Sequence, residues 1–219
     1  MDRDDAEKAI KALFQGYKGS INTQDEQDIQ NLGDGKLYEL YVLSEVVTML
    51  AGRGCSLTFH GSSLKFKASP GKLKTRDPHF TVRTPNGDDL WLFVDIEFDT
   101  LGHGKTGASD NSRRHELDII LVAKNSGFPA FGDIWFAVEC KAVANFEKSL
   151  IKEVLGVRRE LSYVTDDQPS FLSHSGALPV VDVPANPPSE FWLAHIDPKG
   201  LRYRQSPAAF GVDLRHIEP

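Results

Sequence analysis

The run Ile134-Trp135-Phe136-Ala137-Val138-Glu139-Cys140-Lys141-Ala142-Val143 is apolar on both faces apart from two charges. A strand with no polar face belongs in the middle of a sheet that is covered on both sides. That requirement predicts layers of helix packed on a central sheet, an α/β architecture. A second run of the same kind precedes it, His115-Glu116-Leu117-Asp118-Ile119-Ile120-Leu121-Val122, and it too carries acids. Burying a carboxylate or an ammonium costs several kcal/mol per ion unless something binds it. Glu139 and Lys141 are two apart, so they share a face. The charges therefore mark a place where a partner is expected.

Composition narrows the classes. With 219 residues, 40% hydrophobic and 26% charged, the chain is globular, and long enough for one large domain or two small ones. No segment reaches about 18 uninterrupted apolar residues, so no membrane span is expected. The start, Met1-Asp2-Arg3-Asp4-Asp5, lacks an apolar export core. Cys55 and Cys140 are the two cysteines, and Cys140 lies in the predicted core strand. A disulfide framework is not expected; a reducing compartment, the cytoplasm, is. Zinc-binding spacings and the glycine-rich phosphate motifs are absent. The net charge of −6 counts against an unassisted, non-specific nucleic-acid binder. Carboxylates that hold a divalent cation inflate such a formal charge, and the bound ion reverses it locally.

Periodicity predicts a helix over 2–17, a polar, turn-rich stretch over 18–35, and a helix over 36–51. A strand at 55–60 and an irregular basic segment at 61–78 follow. A hairpin over 79–98 turns at Pro85-Asn86-Gly87-Asp88. Residues 99–112 read as a mobile loop and 165–189 as loop, with a helix over 146–163 between the charged strands and that second loop. A late strand is expected at 191–196, and 201–204 is a candidate for another.

An Asp on one strand and Glu-x-Lys on the next can converge on a metal ion. Magnesium and manganese take hard oxygen ligands, so two or three carboxylates beside a phosphate suffice. Asp118 and Glu139 are the candidate ligands, with Lys141 positioned to orient water or stabilise developing charge. The 36–51 helix is apolar nearly all round and so is expected to be buried. At about 100° per residue from Lys36, Ser44, Thr48 and Glu45 form a polar arc, and Glu39 falls opposite it among Val42, Leu43 and Val46. Glu39 is either a third acid of the site or one half of a Lys36–Glu39 pair at i,i+3.

The order Gly35-Lys36-Leu37-Tyr38-Glu39, then Glu116-Leu117-Asp118-Ile119-Ile120, then Glu139-Cys140-Lys141 resembles the PD-(D/E)xK nuclease superfamily. No Pro precedes the Asp. The resemblance implies a restriction-endonuclease-like αβββαβ core, a mixed central sheet flanked by helices, over residues 33–219, with 1–32 as an N-terminal helical extension. It also implies Mg²⁺- or Mn²⁺-dependent endonuclease activity, most simply on double-stranded DNA. In that scheme Asp118 and Glu139 are metal ligands, Lys141 is the catalytic lysine and Glu39 an accessory acid and ligand. The host context it suggests is a prokaryotic restriction or anti-phage effector, acting as a homo-oligomer and with scope for a partner protein of a defence system. One alternative is a nuclease-fold assembly subunit that cuts nothing. The other is a structural protein whose buried charges merely pair.

Lys65, Lys67, Lys72, Lys74, Arg76 and Arg83 form a basic cluster that could grip phosphates, and Arg114 lies beside the site. Lys148, Lys152 and Arg159 could extend that groove. Glu116 is expected at a strand end in solvent, and His115 has no assigned direction. Asp95, Glu97 and Asp99 alternate with Val94, Ile96 and Phe98, the pattern of a half-exposed strand with its acids outward; a second metal site on that strand is the alternative.

Overall fold

A computed structural model describes residues 1–67, 69–125 and 127–219. The elements run α1 (Arg3–Lys18), α2 (Thr23–Gln30), α3 (Asp34–Gly52), β1 (Ser56–His60), β2 (His79–Arg83) and β3 (Asp89–Asp99). Next come α4 (Leu101–Thr106), β4 (Arg114–Ala123), β5 (Ile134–Lys141) and α5 (Lys148–Leu161). The chain closes with β6 (Tyr163–Pro169), α6 (Phe171–His174), β7 (Asp182–Asn186), β8 (Glu190–His195), α7 (Gln205–Ala208) and β9 (Asp213–His216).

Seven strands form one mixed sheet in the order β1-β2-β3-β4-β5-β8-β9. The first five pair antiparallel; β5–β8 and β8–β9 pair parallel. The two charged strands, β4 and β5, hold the centre, as their two apolar faces require. On one face α3 lies beneath α1, and Leu37, Leu40, Leu43 and Val47 pack with Ile10 and Phe14 against Leu92, Ile119 and Val138. On the other face α5 packs Ile151, Val154 and Leu161 on Ile120, Ala137 and Leu193. The helix α3, strands β3 to β5, helix α5 and parallel strand β8 reproduce the helix, three-strand, helix, strand order, consistent with a restriction-endonuclease-like fold. Among the described residues no helix is long and apolar enough to cross a membrane.

Local chemistry explains where the elements begin and end. Asp2 accepts from the Asp4 and Asp5 N–H groups and caps α1, which stops at Gly19 with a positive φ of 80°. The β2–β3 hairpin turns where expected, with Gly87 at φ 96° and the Thr84 hydroxyl donating to Asp88.

Four stretches differ from the sequence expectation. Residues 18–35 contain α2, started by a capping box between Asn22 and Asp25. Asp25 is fully buried, meets Lys18 at 2.6 Å and accepts the Leu64 N–H, so one acid ties three segments together. Residues 99–112 hold α4 and a short 3₁₀ turn, Asn111–Arg113; Thr100 caps α4, and Asp99 is clasped by Arg113 and Arg114. Its glycines hid a single capped turn from a periodicity argument. Residues 165–189 form a two-stranded β6–β7 ribbon with α6 between its strands. Most of β6 is exposed, so no apolar alternation announces it. Residues 198–203 form a 3₁₀ turn, and the last strand is β9.

Candidate metal centre

Two strands change face at the same level of the sheet. On β3, Leu90, Leu92 and Val94 point to the α3 side, whereas Ile96 and Phe98 point to the α5 side. The switch falls at Asp95, which has φ +54°. A non-glycine residue there is held at a cost of roughly 1–3 kcal/mol, and such strain clusters at functional sites. On β4, Ile119 and Leu121 point to the α3 side, whereas Leu117 joins Ile120 and Val122 on the other. That switch falls at Asp118. The flanking pairs Val94↔Ile119 and Ile96↔Leu117 bracket both residues, so Asp95 stands opposite Asp118.

The β4–β5 ladder ends just there, at Ile119↔Val138. Beyond it the Cys140 N–H donates to Asp118 Oδ2 at 2.6 Å. A carboxylate thus fills the fork between two central strands. On the far side of the fork β5 remains paired with β8 through Lys141↔His195, which keeps Glu139 and Lys141 in place.

Carboxylate oxygens of Glu39, Asp95 and Asp118 lie within 4.8 Å of one another. They come from α3, β3 and β4. Two unit charges at that spacing repel by about 3 kcal/mol at an effective dielectric of about 20. Lys36, one turn before Glu39, offsets part of this: its Nζ donates to Glu39 at 2.7 Å and makes a short contact with Asp95 Oδ1. Lys141 forms a second cationic point, paired with Glu139 at 3.0 Å and donating to Glu153 of α5 at 2.7 Å.

Burial pushes the Asp118 carboxyl up to about 6, against the Cys140 N–H and the two lysines, which favour its charge. Burial, then repulsion from Asp118, pushes Glu39 up to about 7 despite Lys36. The same two causes raise Glu139 to about 7. For both lysines burial opposes the charge, but acid partners outweigh it: Asp95 and Glu39 lift Lys36, and Glu139 and Glu153 lift Lys141. Both lysines are therefore cations at neutral pH. The carboxylates share protons near neutrality until a stronger cation arrives, and hard oxygen donors in this arrangement suit a divalent ion.

A pH effect on metal affinity follows. At pH 6 the Glu39 and Asp118 carboxyls are largely or partly protonated, so a divalent ion must displace protons; at pH 8 it need not. Affinity for Mn²⁺ is expected to rise by up to about tenfold per pH unit for each proton displaced, and to level off above pH 7. Calorimetry in buffers of different ionisation enthalpy measures the proton release. Affinity that is flat from pH 6 to 8 would contradict the assignment.

The sequence-predicted residues fall into three groups. Glu39 and Asp118 meet in the carboxylate cluster, and the expected Lys36–Glu39 pair exists at the same time. Glu139 and Lys141 stand beside it, coupled to it through Asp118, but the Glu139 carboxylate is not within the compact set. Arg114, expected beside the site as a phosphate contact, pairs with Asp99 at 2.9 Å and stacks on Phe128. Of the basic segment, Lys67 is held by the Lys72 carbonyl and Asp77, and Arg83 faces Asp89. Lys65, Lys72 and Arg76 are exposed and Lys74 is half-buried. Lys148, Lys152 and Arg159 are exposed on α5, and Glu116 and His115 are exposed at the start of β4. His115, Glu116, Glu139, Glu153 and Glu160 line an open cavity of about 400 Å³ beside Lys141.

Two participants were not assigned to this site by the sequence reading. Asp95 is 3% exposed and faces the cluster, not solvent, because the left-handed bulge turns it inward. Lys36 appeared only as a helix-surface partner. The alternation of acids along β3 gave no sign of a bulge; the one available signal was that three acids on a strand this apolar are costly.

No family model matches the chain, and no curated protein matches it. Among solved structures it is similar to the cAAA-bound form of NucC from P. aeruginosa ATCC27853, with 10% identity and a TM-score of 0.31. It is also similar to the cAAA-bound form of NucC from E. coli MS115-1, with 11% identity and a TM-score of 0.31. In both cases 94% of this chain is covered, and it spans 64% of the length of the other.

Proposed function

We propose that this chain is a divalent-metal-dependent endonuclease that hydrolyses phosphodiester bonds, most simply those of duplex DNA. The observation that carries the reading is the carboxylate cluster of Glu39, Asp95 and Asp118 in the β4–β5 fork, with the Glu139–Lys141 pair beside it. Mg²⁺ or Mn²⁺, held by Asp118 and Glu39 with Asp95 and Glu139 at hand, would acidify a bound water and neutralise phosphate charge.

The remaining roles belong to the chain itself. Asp118 is fixed by the Cys140 N–H, so its orientation is set by backbone and not by a flexible neighbour. Lys141 keeps its proton, because Glu139 and Glu153 flank it. As a cation it would stabilise charge on the scissile phosphate and orient the attacking water. The exposed Lys65, Lys72 and Arg76, with Lys74, supply the cationic ground for a phosphate backbone, and binding is then salt-dependent. One site cuts one strand, so a homo-oligomer with two-fold symmetry is the simplest arrangement for a double-strand break. A place among prokaryotic restriction or anti-phage effectors belongs to the same reading, on the motif order Glu39, Asp118, Glu139-x-Lys141.

The test uses purified protein with supercoiled plasmid and with RNA, each with and without Mg²⁺ or Mn²⁺, and light scattering on the same sample. Metal-dependent linearisation by an oligomer is expected. Lys141→Ala should slow cleavage by about a hundredfold or more while Mn²⁺ binding survives. Metal binding without cleavage of either substrate would favour the silent assembly subunit. No response to metal at all would leave the charges as a structural network.

A further inference from the structure

Among the described residues five buried polar side-chain atoms lack a hydrogen-bond partner, and Asp95 Oδ2 is one of them. Its residue is 3% exposed, and its carboxylate belongs to the set whose oxygens lie within 4.8 Å of Glu39 and Asp118. Leaving a buried acceptor unpaired costs free energy, and more so when it is charged. The backbone is also held in the left-handed region to put it there. Two separate costs are thus met at one residue: a cation inside the cluster would relieve the first and offset the second.

The structure contains one cation already within reach. Lys36 Nζ touches the other Asp95 oxygen and Glu39 Oε2. Its contacts leave Asp95 Oδ2 and Asp118 unserved: Asp118 takes its hydrogen bond from the Cys140 N–H. A single ammonium can donate three hydrogen bonds but brings one positive charge to three carboxylates. Lys36 also sits at the mouth, with a third of its side chain exposed, next to a small cavity lined by Leu32, Phe66, Lys67 and Val94. It can swing out without unfolding α3, because its stem is long and flexible and its Cα lies in the first turn of the helix.

We propose that the cation site is the three-carboxylate set Glu39, Asp95 and Asp118, and that Lys36 is its resident counter-ion, which a divalent metal displaces. This rests on the nuclease reading for its purpose but not for its chemistry. Asp95 is a ligand supplied by the β3 bulge, outside the helix, Asp and Glu-x-Lys pattern. Lys36 sets the affinity. It keeps the metal-free cluster from repelling itself, and it competes with any metal that enters.

The experiment measures Mn²⁺ binding to the full chain at pH 8 by electron paramagnetic resonance and calorimetry, with plasmid cleavage as a separate arm. Lys36→Met should bind Mn²⁺ about tenfold or more tighter than the native chain, because the competitor is gone. It should also melt lower without metal and gain more from Mn²⁺. Asp95→Asn should bind about tenfold or more weaker, with a metal-free melting temperature equal to or above that of the native chain. Equal or weaker Mn²⁺ binding by Lys36→Met overturns the displacement, and native affinity in Asp95→Asn overturns the ligand assignment. If Lys36→Met is unfolded without metal, Mn²⁺-driven refolding followed by circular dichroism decides: refolding supports the proposal, and a chain that stays unfolded at saturating Mn²⁺ overturns it. Binding changes as expected, with no cleavage by the native chain, would sink the nuclease reading and leave this inference standing.

Discussion

Asp118→Asn is expected to lose about a hundred- to a thousandfold in metal-dependent cleavage while becoming more stable without metal. The first half follows from position: Asp118 is the acid that both the Glu39–Asp95 side and the Glu139–Lys141 side of the site meet. The second half follows from the sign of its shift. Burial holds its carboxyl at about 6 in the folded protein, above the usual carboxylate value. A folded acid with a raised pKa binds more protons than the unfolded one, so stability falls as pH rises from the unfolded value through the folded one. At pH 8 the whole cost is present, on the order of 1–3 kcal/mol, and an uncharged Asn removes it while its carbonyl still accepts the Cys140 N–H. The gain in melting temperature should shrink below about pH 5, where Asp118 is protonated anyway. Thermal melts at pH 5 and 8, paired with plasmid cleavage, check both halves. A variant that cuts like the native chain removes Asp118 from the chemistry, and one that is less stable at pH 8 contradicts the electrostatic account.

Glu190→Ala is expected to destabilise the protein by about 3–5 kcal/mol, on the order of 10 °C in melting temperature. Arg53, at the end of α3, donates through Nη1 to both Glu190 oxygens at 2.9 and 2.8 Å, and both side chains are almost fully buried. The Ser170 hydroxyl donates to the same carboxylate at 2.6 Å. This network fastens the C-terminal end of α3 to the start of β8 and to the turn before α6. Removing the acid leaves a buried guanidinium with the Pro179 carbonyl as an acceptor but no counter-charge, which costs far more than the pair itself contributes. Arg53→Met combined with Glu190→Leu should recover most of the loss, because no ion is then left buried. Chemical denaturation of the single and double variants measures this. A single-variant loss below about 1 kcal/mol would mean that the guanidinium finds water or another partner.

The sheet's centre, its two helical faces and two arms of the site were legible in the sequence, because each rests on local rules. Apolar runs bounded by turns placed β4 and β5 inside the sheet, and the two-residue spacing put Glu139 and Lys141 on one face. The apolar circumference of α3 buried it, and Glu39 with it. The ribbon over Tyr163–Asn186 was not legible, because β6 is exposed and carries no hydrophobic period, and the alternation of β7 spans only five residues with a proline in the middle. Nor was α4, whose six residues depend on one threonine cap. Arg53 with Glu190, 137 residues apart, could not be paired from spacing, since a long-range salt bridge leaves no local trace. Asp95 shows the division most plainly. Its neighbours read as a regular strand, and regular alternation sends it to solvent. A left-handed backbone at that one residue, forced where β3 and β4 both change face, turns it inward to meet Asp118 and Lys36. The sequence by itself determined that Asp118, Glu139 and Lys141 would lie on central strands and Glu39 on a helix packed against the sheet. Only the tertiary structure decided which of them meet, because that depends on the register and twist of strands far apart in the chain.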